Sequence, residues 1–396
     1  MSDAARMLRK AEEDMARGRL DLAAERYEKI LVNNRTNTEA LLGMARVALA
    51  TDSYQEARKF AEEVLSNEPN QPDAMVFGAL ALEAQDQMEQ ALREIAGAVD
   101  AHPGHFLTVF HAGRLSAAIG EFKQAMGFLN KAAEMQGGNY DVQNLRGLVM
   151  MELGFIGEAI DVFKEQIKLE PKRVEAYISM IDALTLSDEI DLAERVLEQA
   201  RKNMGNDPVF MQKLAGISLY KGDGKEALKQ AKWVVDHSPN SMQAWLNFGM
   251  LSLLNEDVEG AEQALLKARE LDSENWEPHF QLGMLYDGAG LEDKAIESYS
   301  HASELAPEQY EPHNNLGLLL LGGDDAEQYP KAEQLFLQAI EAMGASLLGP
   351  FFNLALAYAK QGKNDSALEI CTQLLEEDLP DETREQVEAL RTELSS

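Results

Sequence analysis

Four side-chain amides, Asn247, Gln281, Asn315 and Asn353, recur along the last part of the sequence at intervals of 34, 34 and 38 residues. An amide carries a donor and an acceptor together, so a row of them can hold the main chain of an extended peptide whatever its side chains. Three residues after each amide stands an apolar side chain, Met250, Met284, Leu318 and Leu356, and Leu246, Phe280 and Phe352 immediately precede three of the four. An apolar stripe beside an amide rail has the chemistry of a peptide receptor, and methionine adapts to differing apolar ligands through its flexible thioether. Covalent and metal chemistry have no comparable signal. The sequence holds no Cys-x-x-Cys, no His-Glu-x-x-His and no phosphate loop, and Gly222-Asp223-Gly224 reads as a turn. The expectation is a protein that is not an enzyme and needs neither metal nor cofactor.

Residues spaced so regularly need a regular scaffold. Eleven alanines set its register: Ala23, Ala57, Ala91, Ala125, Ala159, Ala193, Ala227, Ala261 and Ala295 stand 34 residues apart, and Ala332 and Ala367 continue the series after short insertions. A fixed period of this length marks a stack of helical hairpins. With each alanine numbered position 20 of its repeat, position 8 reads Ala11, Ala45, Ala79, Gly113, Gly147, Ile181, Ala215, Gly249, Gly283, Gly317 and Ala355. Two helices approach closely only where neither carries a bulky side chain, so these two positions predict the contact between helix A and helix B of each hairpin. Position 15 carries Gly120, Gly154, Gly222, Gly290 and Gly362, suited to a tight turn between A and B. Position 32 is proline in five repeats (Pro69, Pro103, Pro171, Pro239, Pro307) and glycine in two (Gly137, Gly205), which ends helix B. Positions 4, 7, 11, 24 and 28 are mostly apolar and predict the core.

In the repeat beginning at residue 242, Trp245, Phe248, Gly249, Ala261, Leu265 and Ala268 fall on the signature Trp-x-x-Leu-Gly…Ala…Phe…Ala. On these residues the chain resembles the tetratricopeptide repeat family, and the resemblance runs from residue 4 to residue 381. It implies an all-α fold: a right-handed α-α superhelical solenoid in one continuous domain, with eleven helix-turn-helix repeats starting near residues 4, 38, 72, 106, 140, 174, 208, 242, 276, 310 and 348. It also implies that positions 2, 5, 6, 9, 12 and 13 of helix A line a concave wall where a ligand is held. On that wall fall the amides at position 6, Leu246, Phe280 and Phe352 at position 5, Met250, Met284, Leu318 and Leu356 at position 9, and Leu253 and Leu321 at position 12.

The amide row is similar to the asparagine ladder of O-linked N-acetylglucosamine transferases, with glutamine as its second rung. The apolar position 9 departs from the polar residue usual in the family. A tighter twist that buries these side chains against the next helix A is the alternative. Toward the amino terminus the wall is mixed, with Leu8, Leu42, Val76, Phe110 and Ile178 at position 5 and Glu12, Arg46, Arg114 and Asp182 at position 9. Repeats that clamp a peptide carboxyl terminus resemble one another in Lys and Arg at positions 2, 5 and 6 of adjacent repeats. Here only Arg9 and Lys213 stand at such positions, far apart.

Net charge is −32, and residues 276–396 hold 6 basic and 23 acidic side chains against 30 and 45 in residues 1–275. Such a surface argues against nucleic acid, whose binding needs clustered Lys and Arg. It either favours a basic partner or keeps a long array soluble. Met1–Asp14 lacks the apolar run of a signal peptide, and no later stretch reaches the ~20 apolar residues of a membrane span, so the expectation is a soluble, cytoplasmic protein with no membrane insertion. Cys371, the single cysteine, falls on a core position of the last repeat. After Pro380, residues 382–394 put Val387, Leu390 and Leu394 on one face and are expected to close the stack as a capping helix.

Three features stand outside the pattern. The tenth repeat carries an insertion around Leu321, Gly322, Gly323, Asp324, Asp325 and Tyr329-Pro330, either tolerated length or a contact loop. His279 and His313 take position 4, a packing slot rather than a metal site. Trp233, at position 26, is either an exposed partner contact or a ring folded flat on its neighbours. The function expected is a non-enzymatic scaffold or adaptor that holds a segment of a partner protein in its groove. The alternatives are a regulatory receptor for a small signalling peptide or metabolite, and a non-catalytic subunit of an assembly complex. The sequence leaves the oligomeric state open.

Overall fold

The computed structural model describes residues 3–323, 325–343, 348–377 and 379–395, and among them the chain forms 23 α-helices, one 3-10 turn (Ala326–Gln328) and no strand. Two compact halves divide the chain, Met1–Gly205 and Asn206–Ser396. The first half holds six hairpins: α1 (Asp3–Ala16) with α2 (Leu20–Asn33), α3 (Thr38–Ala50) with α4 (Tyr54–Asn67), α5 (Pro72–Glu83) with α6 (Met88–Ala101), α7 (Phe106–Ala118) with α8 (Phe122–Met135), α9 (Tyr140–Glu152) with α10 (Ile156–Leu169), and α11 (Val174–Leu186) with α12 (Ile190–Met204). The second holds five: α13 (Pro208–Tyr220) with α14 (Gly224–His237), α15 (Met242–Leu254) with α16 (Val258–Leu271), α17 (Trp276–Gly288) with α18 (Glu292–Leu305), α19 (Tyr310–Gly322) with α20 (Tyr329–Met343), and α21 (Gly349–Lys360) with α22 (Asn364–Glu376), followed by α23 (Asp381–Leu394). Within each half every helix packs on its neighbours in the chain. Odd helices also touch odd helices, α1 through α11 in order in the first half, and α15 on α17 and α19 on α21 in the second. Each half is thus a helical-repeat stack, and the fold is an all-α solenoid.

The alanine register is the core. All eleven position 20 alanines have no exposed surface. Position 8 is small for a more specific reason than helix proximity alone, because it faces the side chain at position 24 of the same hairpin. A Cβ on Gly147 would lie 2.4 Å from the Phe163 ring, on Gly283 2.5 Å from Tyr299 and on Gly317 2.7 Å from Phe336. Glycine therefore stands opposite the large rings, and those rings are fully or almost fully buried. Truncating one of these rings to alanine should cost about 3–5 kcal/mol.

The turns repeat almost as strictly, and the caps in most repeats. Position 15 has positive φ in ten repeats, with Gly18, Gly120, Gly154, Gly222, Gly290 and Gly362 at φ between 69° and 82°, and Asp52, Asp86, Asp188 and Glu256 between 55° and 63°. The four acidic residues adopt the left-handed conformation although a Cβ disfavours it, so the packed hairpin imposes the turn. The eleventh position 15, Asp324 of the insertion, lies outside the described residues, as do residues 344–347 at the end of that repeat. Position 34 caps the next helix A in most repeats, though not at His105, Arg173 or Gln309. Asn37 accepts from the amide of Ala40, Asn139 from Val142, Ser241 from Ala244 and Asn275 from Glu277, each cap being worth about 1 kcal/mol.

Position 4 adds a bond across several joints. Tyr177 Oη donates to the carbonyl of Pro171 at 3.2 Å, Trp245 Nε1 to Pro239 at 2.8 Å, His279 Nε2 to Ser273 at 3.2 Å and His313 Nε2 to Pro307 at 3.2 Å. The two histidines are buried at this packing slot, where they donate to the turn that ends the preceding helix B. Trp233 is half-buried and lies flat on His237, with ring centroids 3.7 Å apart. At the end of the chain, Val387 and Leu390 of α23 pack on Cys371, Leu374 and Leu379.

Candidate partner-binding face

On a helix of 3.6 residues per turn, side chains step by about 100°, so positions 4, 7 and 11 share one face and position 9 lies opposite them, flanked by 2, 6 and 13. Positions 5 and 12 lie on the shoulder nearer the core. The second half follows this geometry. Met250, Met284 and Leu318, at position 9 of α15, α17 and α19, are 39%, 45% and 41% exposed, and Leu254 at position 13 is 66% exposed. Three apolar side chains therefore stand open to solvent once per repeat, and the alternative that a tight twist buries them does not hold. Leu356, their counterpart on α21, is half-buried against the core.

The shoulder positions need correction. Leu246 and Leu321, expected on the wall, are 1% and 4% exposed and belong to the main core of the second half. A large apolar side chain on the shoulder turns inward, where burial gains more than exposure. Phe280 and Phe352 are half-buried. The Phe280 ring lies 5.7 Å from Trp276 and 5.8 Å from Tyr299.

The amides at position 6 are half-buried and partly engaged with one another. Gln243 Nε2 donates to Asn247 Oδ1 at 3.0 Å. Asn353 Nδ2 donates to Asn314 Oδ1 at 2.8 Å, and Asn314 Nδ2 to Asn315 Oδ1 at 3.4 Å, which ties α19 to α21. The Asn315 side chain also hydrogen-bonds to the phenol of Tyr299, which burial pushes up to about 12 and so keeps neutral. Gln281 shares their half-buried setting on α17. The row is thus a set of rungs with part of its donor and acceptor capacity already used.

Sequence reasoning missed one feature. A half-enclosed cleft of about 210 Å³ opens between α13 and α15, walled by Leu219 and Leu254 with Asn247 and Met250 on the α15 side. It exists because repeat 7 pairs Ala215 at position 8 with Ala231 at position 24, the smallest such pair in this half, and adds Gly216 at position 9. A Cβ on Gly216 would meet nothing within 4 Å. The two alanines stood in the sequence, but both satisfied the rule that these positions be small.

Charge is sparse on this face. Among the odd helices of the second half, α13 carries Lys213, α15 no charged residue, α17 Glu277 and Asp287, α19 Glu311 and α21 Lys360. Lys360 Nζ donates to the carbonyl of Leu321 at 2.7 Å. One carboxylate oxygen of Glu311 is buried without a hydrogen-bond donor. Most of the acid in this half stands on the even helices, α23 and the turns. Among the described residues no three His, Cys, Asp or Glu side chains converge to hold a metal, and no helix is long and apolar enough to cross a membrane.

The first half presents a different surface. Arg46 Nη1 reaches Glu12 Oε2 at 2.9 Å and Arg114 Nη1 reaches Glu83 Oε1 at 2.8 Å, so charges on successive helices A pair across the joint. Tyr27 also donates to Glu12 at 2.6 Å.

Models of the tetratricopeptide repeat match residues 14–82, 216–275, 277–309 and 351–385. "Cellulose synthase operon protein C" of Pseudomonas fluorescens (strain SBW25) is 22% identical over 337 residues, covering 71% of this chain and 26% of that protein. "BBSome complex member BBS4" of Bos taurus is 23% identical over 219 residues, covering 54% of this chain and 42% of that protein. The chain thus matches about a quarter of the length of one curated relative and less than half of the other. Among solved structures, yeast Tom70 has a TM-score of 0.56 at 13% identity, covering 99% of this chain and 95% of that one. A tetratricopeptide repeat protein from Parabacteroides merdae ATCC 43184 has a TM-score of 0.51 at 17% identity, covering 59% and 93%. These likenesses concern the fold. With family matches spread from residue 14 to residue 385 on a stack of helical hairpins, the chain is a tetratricopeptide repeat protein.

Proposed function

We propose that this chain is a non-enzymatic scaffold or adaptor that holds an extended segment of a partner protein along the odd-helix face of its second half. The observation that carries the reading is the exposure of Met250, Met284 and Leu318, one apolar side chain per repeat at the same position. Three such side chains in register are a continuous apolar contact for a chain laid across the helices, and the half-buried amides beside them supply main-chain hydrogen bonds. The acidic surface of this half, 34 acidic against 13 basic residues, steers a basic partner by its long-range field. The reading includes a cytoplasmic setting. The test is capture of partners by the purified chain: Asn315→Ala with Asn353→Ala and Met284→Glu should abolish it while helicity stays unchanged, and undiminished capture by that variant removes the reading.

A second reading, a permanent non-catalytic subunit of an assembly, draws on the likeness to a BBSome complex member. Partners that stay bound through purification in high salt favour it over a reversible adaptor. A receptor for a small signalling peptide or metabolite would use the cleft between α13 and α15, and would show as a rise in melting temperature with a low-mass ligand alone.

A further inference from the structure

The cleft and the charges near it define what the bound segment must carry, an inference that rests on the scaffold reading above. In repeats 8 to 10 the space at position 24 is filled by Leu265, Tyr299 and Phe336, whereas in repeat 7 Ala231 leaves it open. The cleft of about 210 Å³ is smaller than the ~300–1,000 Å³ of a typical small-molecule site and suits one large apolar side chain. At its rim the Oδ1 of Asn247 is already taken by Gln243, so the Asn247 N–H groups remain to donate. An apolar pocket beside an amide donor matches a side chain and the carbonyl of the peptide main chain that bears it. Beyond the uncharged α15, the next charges on this face are Glu277 and Asp287 on α17 and Glu311 on α19. The half-buried Glu311 has one carboxylate oxygen with no hydrogen-bond donor, and with Glu277 it gives this part of the face a negative charge that a Lys or Arg side chain complements.

We propose that the segment bound on this face carries one large apolar side chain seated between α13 and α15, and a basic side chain further along, set against Glu277 and Glu311. Packed helices lie about 10 Å apart and an extended chain advances about 3.3 Å per residue. The basic residue, opposite α17 and α19 and so about 15–25 Å from an anchor between α13 and α15, therefore stands about five to eight residues from it.

The probe is a displayed library of random peptides of about twelve residues, selected on the full chain, with the selected peptides titrated by fluorescence anisotropy. Gly216→Leu fills the cleft from its open side and removes a glycine from the middle of α13, so the variant should melt no lower than wild type. The expected peptides share a Phe, Leu or Met with a Lys or Arg at that spacing. Gly216→Leu weakens them about tenfold. Glu277→Gln with Glu311→Gln weakens them about fivefold and flattens the salt dependence. Peptides without this pairing, or peptides that bind Gly216→Leu as tightly as wild type, overturn the proposal. If such peptides are still lost on Met284→Glu, the scaffold reading survives without this subsite. If Met284→Glu weakens nothing selected, the scaffold reading falls and takes the subsite with it. A wild-type dimer in sedimentation velocity that Gly216→Leu turns into a monomer puts a second copy in the cleft and also overturns the proposal.

Discussion

The two halves share one hairpin but use its odd-helix face differently in most repeats, with Leu148 of α9, 38% exposed at position 9, an exception in the first half. In the first half position 9 is charged in several repeats, and Glu12 with Arg46 and Glu83 with Arg114 close on one another across the joints. In α15, α17 and α19 of the second half the same position is methionine or leucine and stays open. A charged side chain with a partner one repeat away is satisfied within the molecule, whereas an exposed methionine has no partner until something covers it. The contrast teaches that the repeat core fixes the fold and leaves this face free to be structural in one place and adhesive in another.

The largest effects should be common to both halves, because the core does not differ between them. Ala57→Leu in α4 and Ala261→Leu in α16 should each cost ~1–3 kcal/mol by overpacking. The same change at the exposed Ala50 should be mild, and equal effects at all three in denaturant titrations would contradict the register. Next comes an exchange of face characters. Arg114→Met leaves Glu83 without its partner and should cost about 1 kcal/mol. Met284→Glu should change stability by less than about 0.5 kcal/mol while removing partner capture. If Met284→Glu destabilises as much as Arg114→Met, the distinction between the two faces is lost.

A smaller effect of opposite sign is expected at the turns. Glu256→Gly should stabilise by about 0.5–1 kcal/mol, since glycine accepts the left-handed backbone that glutamate adopts under protest from its Cβ. Asp188→Gly should gain less, because aspartate tolerates that conformation better. A loss of stability at Glu256→Gly would mean that the turn is not strained.

The smallest effect is pH dependence. Burial lowers His111 to about 4, with the Arg114 charge adding to it, and burial also lowers His279 and His313. These imidazoles are neutral in the folded chain, whereas the unfolded chain titrates near 6.5. Between about 6.5 and the folded value the unfolded state binds more protons, so stability is fully present above that window and declines as pH falls through it. His111→Gln should flatten the first-half share of that slope in denaturant titrations at successive pH values. An unchanged slope would show that His111 is not a buried neutral group.

Much of this fold was legible in the sequence because the repeat states the same constraint eleven times. Ala261 alone says little, but its ten counterparts fix the register of both helices. The turn was legible only where it is glycine. Asp52, Asp86, Asp188 and Glu256 take the same left-handed backbone without any compositional sign of it, because neighbouring packing overrides local preference. On the candidate face, Met250, Met284 and Leu318 at position 9 are open to solvent, whereas Leu356 at the same position is half-buried against the core. Leu246 and Leu321 were assigned to the same wall by position number, and their shoulder placement turns them into the core. The cleft escaped notice because a void is the absence of a side chain, and Ala231 satisfies the small-residue rule as well as it creates the space.

The constancy of the position 15 turn reaches beyond stability. A hairpin that leaves its neighbour in the phase in which it was entered can be lost or doubled, within a half, without changing how the flanking helices meet. Excision of residues 72–105 should bring α4 against α7 through the same small-residue contacts and leave a shorter folded protein. The gene can thus be lengthened or shortened by 34 codons at a step, and the reach of the molecule becomes a heritable quantity separate from what it grips.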